Sequence, residues 1–275
     1  AIGSSLTITN FGPNPPAGKR IIHSTNDHED VNKDHRVECA MIGDAKISLD
    51  QLLDALSGAD IRNKGDVAAS VGKVRSEWRA DWQRHLASNE VPIDPYRVVN
   101  DLMETVDREN VIITHDSGSP REQLHPFWES VVPNSYMGWG KSTQLGHSLG
   151  LALGAKLARP DKLCVHVLGD AAIGMVGMDL ETAARNGIAI LTVVLNNGIM
   201  AAEREVLIES DKKYAAMTVG GNYKPVAEAL GVAGFRVDAP GNIVPVLREA
   251  IAVTESGRPA LVECMTAECQ EFSRY

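Results

Sequence analysis

The run Val165–Met175, VHVLGDAAIGM, decides the fold. Its apolar half stops at Gly169-Asp170, and about one helix later a second apolar run, Ile190–Met200 (ILTVVLNNGIM), stops at Asn196-Asn197. Both runs are near-continuous Val, Ile and Leu, the composition of strands buried on both faces, which implies a parallel sheet covered by helices. Working outward, NVIITHD (110–116), KLCVHVLGD (162–170), IAILTVVLNN (188–197), FRVD (235–238) and PALVECM (259–265) read as strands. SLGLALGAKLAR (148–159), GMDLETAARNG (177–187), a segment around 225–230 and IVPVLREAIAVTES (243–256) read as helices between them. The alternation gives an α/β fold with a parallel sheet flanked by helices.

Ligands of open parallel sheets sit beyond the carboxyl ends of the strands. Asp170 and Asn197 end two strands joined by one right-handed crossover with a single helix, so both can reach one crevice. A carboxylate and an amide oxygen are hard donors suited to Mg²⁺ or Ca²⁺. Two such ligands are too few for octahedral coordination, so a backbone carbonyl, water and phosphate oxygens would complete it. The small residues Ala171, Ala172 and Gly174 let the backbone N–H groups of the following helix approach those phosphates. The alternative reading makes Asp170 a helix cap and Asn197-Gly198 a hairpin turn. The hairpin is weakened by IMAAEREVLIES (199–210), which reads as helix without a returning strand.

The chain has 275 residues, 44% of them hydrophobic, and a formal net charge of −9. Without clustered Lys and Arg, that charge argues against nucleic acid as a partner. Cys39, Cys164, Cys264 and Cys269 lack the close spacing of zinc sites or disulfide frameworks, and Cys164 reads as a small buried hydrophobe. No apolar run is long enough to cross a bilayer and no basic-then-apolar leader opens the sequence, so a cytoplasmic setting is expected.

Three segments are expected. Residues 1–58 are part of an α/β domain: AIGSS as the tail of a buried strand and a Gly turn, SLTITNF (5–11) as a β-rich piece, a loop over 13–18, RIIHS (20–24) as a strand, then ECAMIG (38–43) and the helical ISLDQLLDAL (47–56). Residues 59–91 are a linker with the charged helix KVRSEWRADWQRHL (73–86), and SNEVPIDP (88–95) leads into a second domain over 92–275.

The segment GDAAIGMVGMDLETAARNGIAILTVVLNN (169–197) resembles the motif of the thiamine diphosphate enzyme superfamily, which begins Gly-Asp-Gly and ends Asn-Asn after a span of this length. Most of 92–265 resembles the diphosphate-binding domain. The resemblance implies that Asp170 and Asn197 hold Mg²⁺ through side chains and Ile199 through its carbonyl, with Gly169, Ala171 and Ala172 beside the diphosphate. Ala171 stands where the motif has Gly, which narrows φ/ψ but keeps the amide. THDSGSPREQ (114–123) resembles the loop after the domain's first strand, making Ser119 a diphosphate contact. STQLGHSLGLALGAKLA (142–158) resembles the segment whose bulky residue wedges between the two cofactor rings. Leu145 takes that place, with main-chain groups of Thr143 and Leu145 facing the aminopyrimidine. The alternative for Leu145 is an ordinary core leucine. The first 58 residues resemble the later part of the middle domain in acetolactate-synthase-type chains and related decarboxylases, where Gly43-Asp44 is structural and no Gly-x-Gly-x-x-Gly supports a dinucleotide.

The resemblance implies an enzyme that makes or breaks a C–C bond next to a carbonyl, the thiazolium ring of the cofactor taking up the electrons of the broken bond. The acid that activates the cofactor is, in that superfamily, a Glu on a pyrimidine-binding domain of a neighbouring subunit, so no catalytic residue is assigned within these 275 residues. The chain is expected to be the carboxyl-terminal half of a split, nicked or truncated enzyme, active with a second polypeptide in a homo- or hetero-oligomer. The front segment points to acetolactate-synthase-like chemistry on a small carbonyl substrate. GMDLET (177–182) points instead to the oxalyl-CoA decarboxylase and 2-hydroxyacyl-CoA lyase branch, with an acyl-CoA substrate. In that branch Ser273 and Arg274 would help to bind CoA; a frayed tail is the alternative. His115, His125 and His147 are candidates for proton transfer, against ordinary surface or core roles. Glu203 reads as part of a solvated helix face. A non-catalytic cofactor-binding subunit and an NAD- or CoA-binding Rossmann domain are the readings from other classes, and the Asn pair counts against the latter.

Overall fold

A computed structural model describes residues 1–8, 14–59, 65–138 and 144–273, and it divides the chain into two units, 1–75 and 76–273. The first unit holds parallel strands β1 (Ile22–Thr25) and β2 (Cys39–Ile42), helix α1 (Ala45–Leu56) and the beginning of α2 (Val67–Leu86). Asp44 caps α1 by accepting the N–H groups of Lys46 and Ile47 at 2.9 and 3.1 Å, so Gly43-Asp44 is a structural turn. The opening AIGSS makes a single bridge, Ile2 to Ser24, and Ile2 is exposed rather than buried. SLTITNF forms no strand over residues 5–8, where Leu6 has a φ of +50°; its remaining positions include residues outside those described.

The second unit begins inside α2. Trp82 and Leu86 of that helix are buried, with Trp78 packed against the same core, so the second half of the expected linker is a core element. Amphipathic placement of the aromatic residues explains this: Trp78 and Trp82 are one helical turn apart and pack on Phe127 at 4.7 and 5.1 Å. Ile93, in the expected loop, is fully buried and bridges Thr266.

There follow α3 (Pro95–Thr105), β3 (Val111–His115), α4 (Ser119–Leu124), β4 (Tyr136–Met137), α5 (His147–Ala158), β5 (Leu163–Gly169), α6 (Asp170–Val176), α7 (Leu180–Arg185), β6 (Ile190–Asn196), α8 (Ile208–Tyr214), α9 (Tyr223–Ala229), β7 (Ala233–Val237), α10 (Ile243–Glu255) and β8 (Ala260–Met265). Six strands form one parallel sheet in the order β4-β3-β5-β6-β8-β7, the covered parallel sheet that the apolar runs predict.

Side chains alternate between two cores because successive strand residues face opposite ways. Val165, Val167, Leu191, Val193 and Leu195 pack with α2, α3 and α10 on one face. Cys164, Leu168, Ile190 and Val194 pack with α5, α6, α7 and α9 on the other. Each such fully buried Val, Leu or Ile contributes about 1.5–3 kcal/mol. The strand order reverses direction between β3 and β5, since the chain runs outward to β4 before crossing back to β5. That reversal opens a crevice at the carboxyl ends of β3, β5 and β6.

The expected helix over 199–210 is broken. A 3-10 turn covers Ala201–Glu203 and α8 begins only at Ile208. The chain returns to pair Ile199 with Thr218 in one antiparallel bridge, with Met200 N–H donating to the Met217 carbonyl at 2.8 Å. Asn197-Gly198 is thus a turn with a distant return rather than a two-residue hairpin.

Candidate functional site

A cleft opens where the sheet order reverses, and it collects the strand-end residues. Its wall contains Ser119 from the start of α4, Leu145 before α5, Gly169, Asp170, Ala171 and Ala172 at the β5–α6 junction, and Asn197 and Ile199 after β6. Thr143 lies outside the described residues. Every other position expected to meet a cofactor lies on this one surface.

Asp170 is 3% exposed. One carboxylate oxygen accepts the Ala171 N–H at 2.8 Å, and the other accepts the N–H groups of Asn197 at 3.1 Å and Gly198 at 2.6 Å. Burial raises its pKa above the ordinary carboxylate value, and the backbone N–H groups of Ala171, Gly198 and Asn197 oppose that shift in part. A cation beside this buried carboxylate would favour its charged form. Gly198 has a φ of +74°, the left-handed conformation that points its amide at Asp170, and this accounts for glycine at that position.

The two asparagines divide. Asn196 is buried and structural, its amide donating to Glu263 at 2.7 Å and to the Gly221 carbonyl at 3.3 Å. Asn197 is the one on the cleft wall, and its side-chain oxygen accepts the Ile199 N–H at 3.1 Å. The Ile199 carbonyl accepts from Ala201 N–H at 2.9 Å and keeps a second lone pair.

Two hydroxyls on the wall, Ser119 Oγ and Thr266 Oγ1, are buried without a hydrogen-bond partner. Leaving a buried hydroxyl unpaired costs on the order of 1–3 kcal/mol, a cost that a ligand oxygen bound in the cleft would offset. The buried Asp170 carboxylate, neutral oxygen donors, small residues and two unpaired hydroxyls together fit a hard cation carrying an anionic, oxygen-rich ligand. Among the described residues no group of three or more His, Cys, Asp or Glu is arranged to hold a metal by itself.

Other sequence candidates fall elsewhere. Among the described wall residues none of His115, His125 or His147 occurs. His115 is buried, its Nδ1 3.1 Å from the Asp116 carbonyl and its ring beside Tyr136, and burial pushes its pKa down. Ser273 accepts the Trp78 indole N–H at 3.0 Å, so the tail is tied rather than frayed as far as that residue; Arg274 is outside the described residues.

Glu203 is a correction. The broken helix places it on the cleft wall, half-buried, instead of on a solvated face. Sequence reasoning also missed Thr266 and Tyr223. The Tyr223 hydroxyl donates to the Asp170 carbonyl at 2.9 Å from 53 residues away, a tertiary contact that no local pattern announces.

All four cysteines are free thiols, and Cys164 is buried. No described helix is long and apolar enough to cross a membrane.

Comparison with known proteins identifies the family. Residues 116–264 match the family described as thiamine pyrophosphate enzyme, C-terminal TPP binding domain. The chain is 32% identical over 191 residues to a probable acetolactate synthase of Mycobacterium bovis, a match covering 69% of this chain and 34% of that protein. It is 26% identical over 250 residues to a probable acetolactate synthase large subunit of Methanococcus aeolicus, covering 86% and 41%. It is 23% identical over 278 residues to the 2-hydroxyacyl-CoA lyase of Arabidopsis thaliana, covering 95% and 48%. The chain thus spans between about a third and a half of the length of these relatives. With the family match covering more than half of the chain, including β5, β6 and the strand ends at Asp170 and Asn197, the chain belongs to the thiamine pyrophosphate enzymes, in the group that includes the acetolactate synthases and related lyases.

Proposed function

We propose that the cleft binds thiamine diphosphate with Mg²⁺ and that the complete enzyme forms or breaks a C–C bond next to a carbonyl, as in acetolactate-synthase-like decarboxylation and carboligation of a 2-oxo acid. The observation that carries this reading is the convergence of Asp170 and Asn197, from the ends of adjacent strands, on one cleft with Ser119. Asp170, the Asn197 side-chain oxygen and the Ile199 carbonyl would hold the cation. Ser119 and the amides of Ala171 and Ala172 would meet the diphosphate, and Leu145, with Thr143 before it, would face the rings. When bound, the cofactor supplies an electron sink for the bond being broken.

This chain's own residues bind, orient and exclude water. Asp170 fixes the two strand-end loops through its three accepted N–H groups, so the proposed ligands are positioned before any cation arrives. Leu145, Leu195, Met200 and Ala201 give the wall an apolar part that keeps water from the reacting atoms. The acid that activates the cofactor is assigned to a pyrimidine-binding domain, and activity is proposed to need that domain in a cytoplasmic homo- or hetero-oligomer.

Calorimetric titration tests the binding reading. Thiamine diphosphate should bind in the presence of Mg²⁺, bind at least about a hundredfold more weakly after chelation, and fail to bind Asp170→Ala that retains its circular dichroism. Tight metal-free binding contradicts the reading.

A second substrate class has support in the likeness to a 2-hydroxyacyl-CoA lyase, which extends over 95% of this chain. Turnover of the complete assembly on pyruvate against a 2-hydroxyacyl-CoA separates the two. An assembly that binds the cofactor and turns over neither supports a non-catalytic cofactor-binding subunit.

A further inference from the structure

Resting on the assignment of the cleft to thiamine diphosphate, we propose that Asp116, Ser148 and His166 form a buried positioning network that sets the ring-facing wall at Leu145. Asp116, at the end of β3, is 0% exposed. One of its carboxylate oxygens accepts the N–H groups of Ser117 at 2.8 Å and Gly146 at 2.9 Å; the other accepts the Ser148 N–H at 3.1 Å and the Ser148 hydroxyl at 2.5 Å. Helix α5 follows Gly146 and has no capping side chain of its own. Its first amides would go unpaired. Asp116 therefore caps α5 from another element, 30 residues earlier in the chain than Gly146.

The third member fixes the direction of the hydrogen bonds. Ser148 Oγ lies 2.6 Å from His166 Nε2, and both residues are fully buried. A carboxylate only accepts, so the single Ser148 proton goes to Asp116 and the Ser148 oxygen must take an N–H from His166. His166 is accordingly neutral with its proton on Nε2, and its Nδ1 has no partner. The trio is no nucleophilic triad, because Ser148 is inaccessible and already donates to a carboxylate.

The geometry passes this order on to the cleft. Gly146 has a φ of +87°, and a Cβ there would stand 2.3 Å from Val176 Cγ1, so the segment before α5 has no slack on its outer side. Asp116 holds it from the inner side. Leu145, adjacent to Gly146, and Ser117, adjacent to Asp116, both line the cleft. One buried carboxylate thus ties the loop expected to meet the diphosphate to the segment expected to meet the rings.

Ser148→Ala removes the hydroxyl and leaves the other three bonds of Asp116 possible. In the 275-residue chain carrying Ser148→Ala, hydrogen exchange at the backbone amides of position 148 and of Gly146 should quicken about tenfold or more, with β5 and β6 unchanged. Calorimetry with Mg²⁺ should show thiamine diphosphate weakened about tenfold, and inorganic pyrophosphate, which has no rings, changed less than about twofold. His166→Gln keeps an N–H donor and should behave as wild type, whereas His166→Leu should follow Ser148→Ala. Unchanged exchange and affinity in Ser148→Ala, or equal weakening of both ligands, overturns the proposal. A wild-type chain that binds neither ligand overturns the cofactor assignment itself, and with it the ring-facing role, in a result that owes nothing to the substitution.

Discussion

The Asp170 carboxylate accepts the Gly198 N–H at 2.6 Å, and this bond joins the loop after β5 to the loop after β6 at the point where both meet the cleft. The bond makes the site a property of two adjacent strands rather than of one motif. From the opposite side the Tyr223 hydroxyl holds the Asp170 carbonyl, so the residue is fixed at both its side chain and its main chain.

Tyr223→Phe should lower stability by about 1 kcal/mol, the net contribution of one intramolecular hydrogen bond. Urea denaturation followed by circular dichroism measures it. Asp170 should retain its other bonds, so metal-dependent cofactor binding should survive with only a small loss.

Glu263→Ala should cost more, on the order of 3 kcal/mol. Glu263 is 0% exposed in β8 and accepts the Asn196 amide at 2.7 Å and the Lys224 N–H at 3.0 Å. Its removal takes one of two acceptors from the buried Asn196 amide and the side-chain acceptor from the half-buried Lys224 N–H, beside the Asn197 turn. A shift in the denaturation midpoint without a change of slope would bear this out.

Gly146→Ala should destabilise by about 2 kcal/mol or more, from a left-handed φ combined with the clash on Val176. The double variant with Val176→Ala should recover the steric part and keep the backbone part. Equal stabilities of the single and double variants would refute this division.

His166 gives the chain a pH dependence. Burial pushes its pKa down to about 4 from an ordinary 6.5. In the unfolded chain it binds a proton near 6.5, in the folded chain only near 4, so unfolding takes up a proton between those values. Stability is therefore full above about pH 6.5 and falls as the pH drops towards 4. His166→Gln should flatten that part of the stability profile, as measured by denaturation at successive pH values.

The strands were legible in the sequence because burial on both faces writes a continuous apolar run. Ile190–Asn196 is buried at every position, and Leu163–Gly169 is nearly so. β4, two residues long, has no such run and was not expected. The strand-end positions of Asp170 and Asn197 were legible for the same reason, since each stands two residues after the last apolar side chain of its run, Leu168 and Leu195. Glu203 was misread because IMAAEREVLIES has helical spacing, while the Ile199–Thr218 bridge and the Met200–Met217 bond pull its first residues out of a helix. Asp116 and Tyr223 act through partners far away in the chain, Thr266 is placed by the backbone of Ile93 and Asn196, and no local periodicity encodes such contacts.

The most direct measurement is a crystal of the chain grown with Mn²⁺ and thiamine diphosphate, with diffraction data collected at the manganese edge. The account predicts one strong anomalous peak within about 2.5 Å of an Asp170 carboxylate oxygen, the Asn197 side-chain oxygen and the Ile199 carbonyl, beside the diphosphate. A peak elsewhere, or a bound diphosphate with no metal between it and these residues, would contradict it.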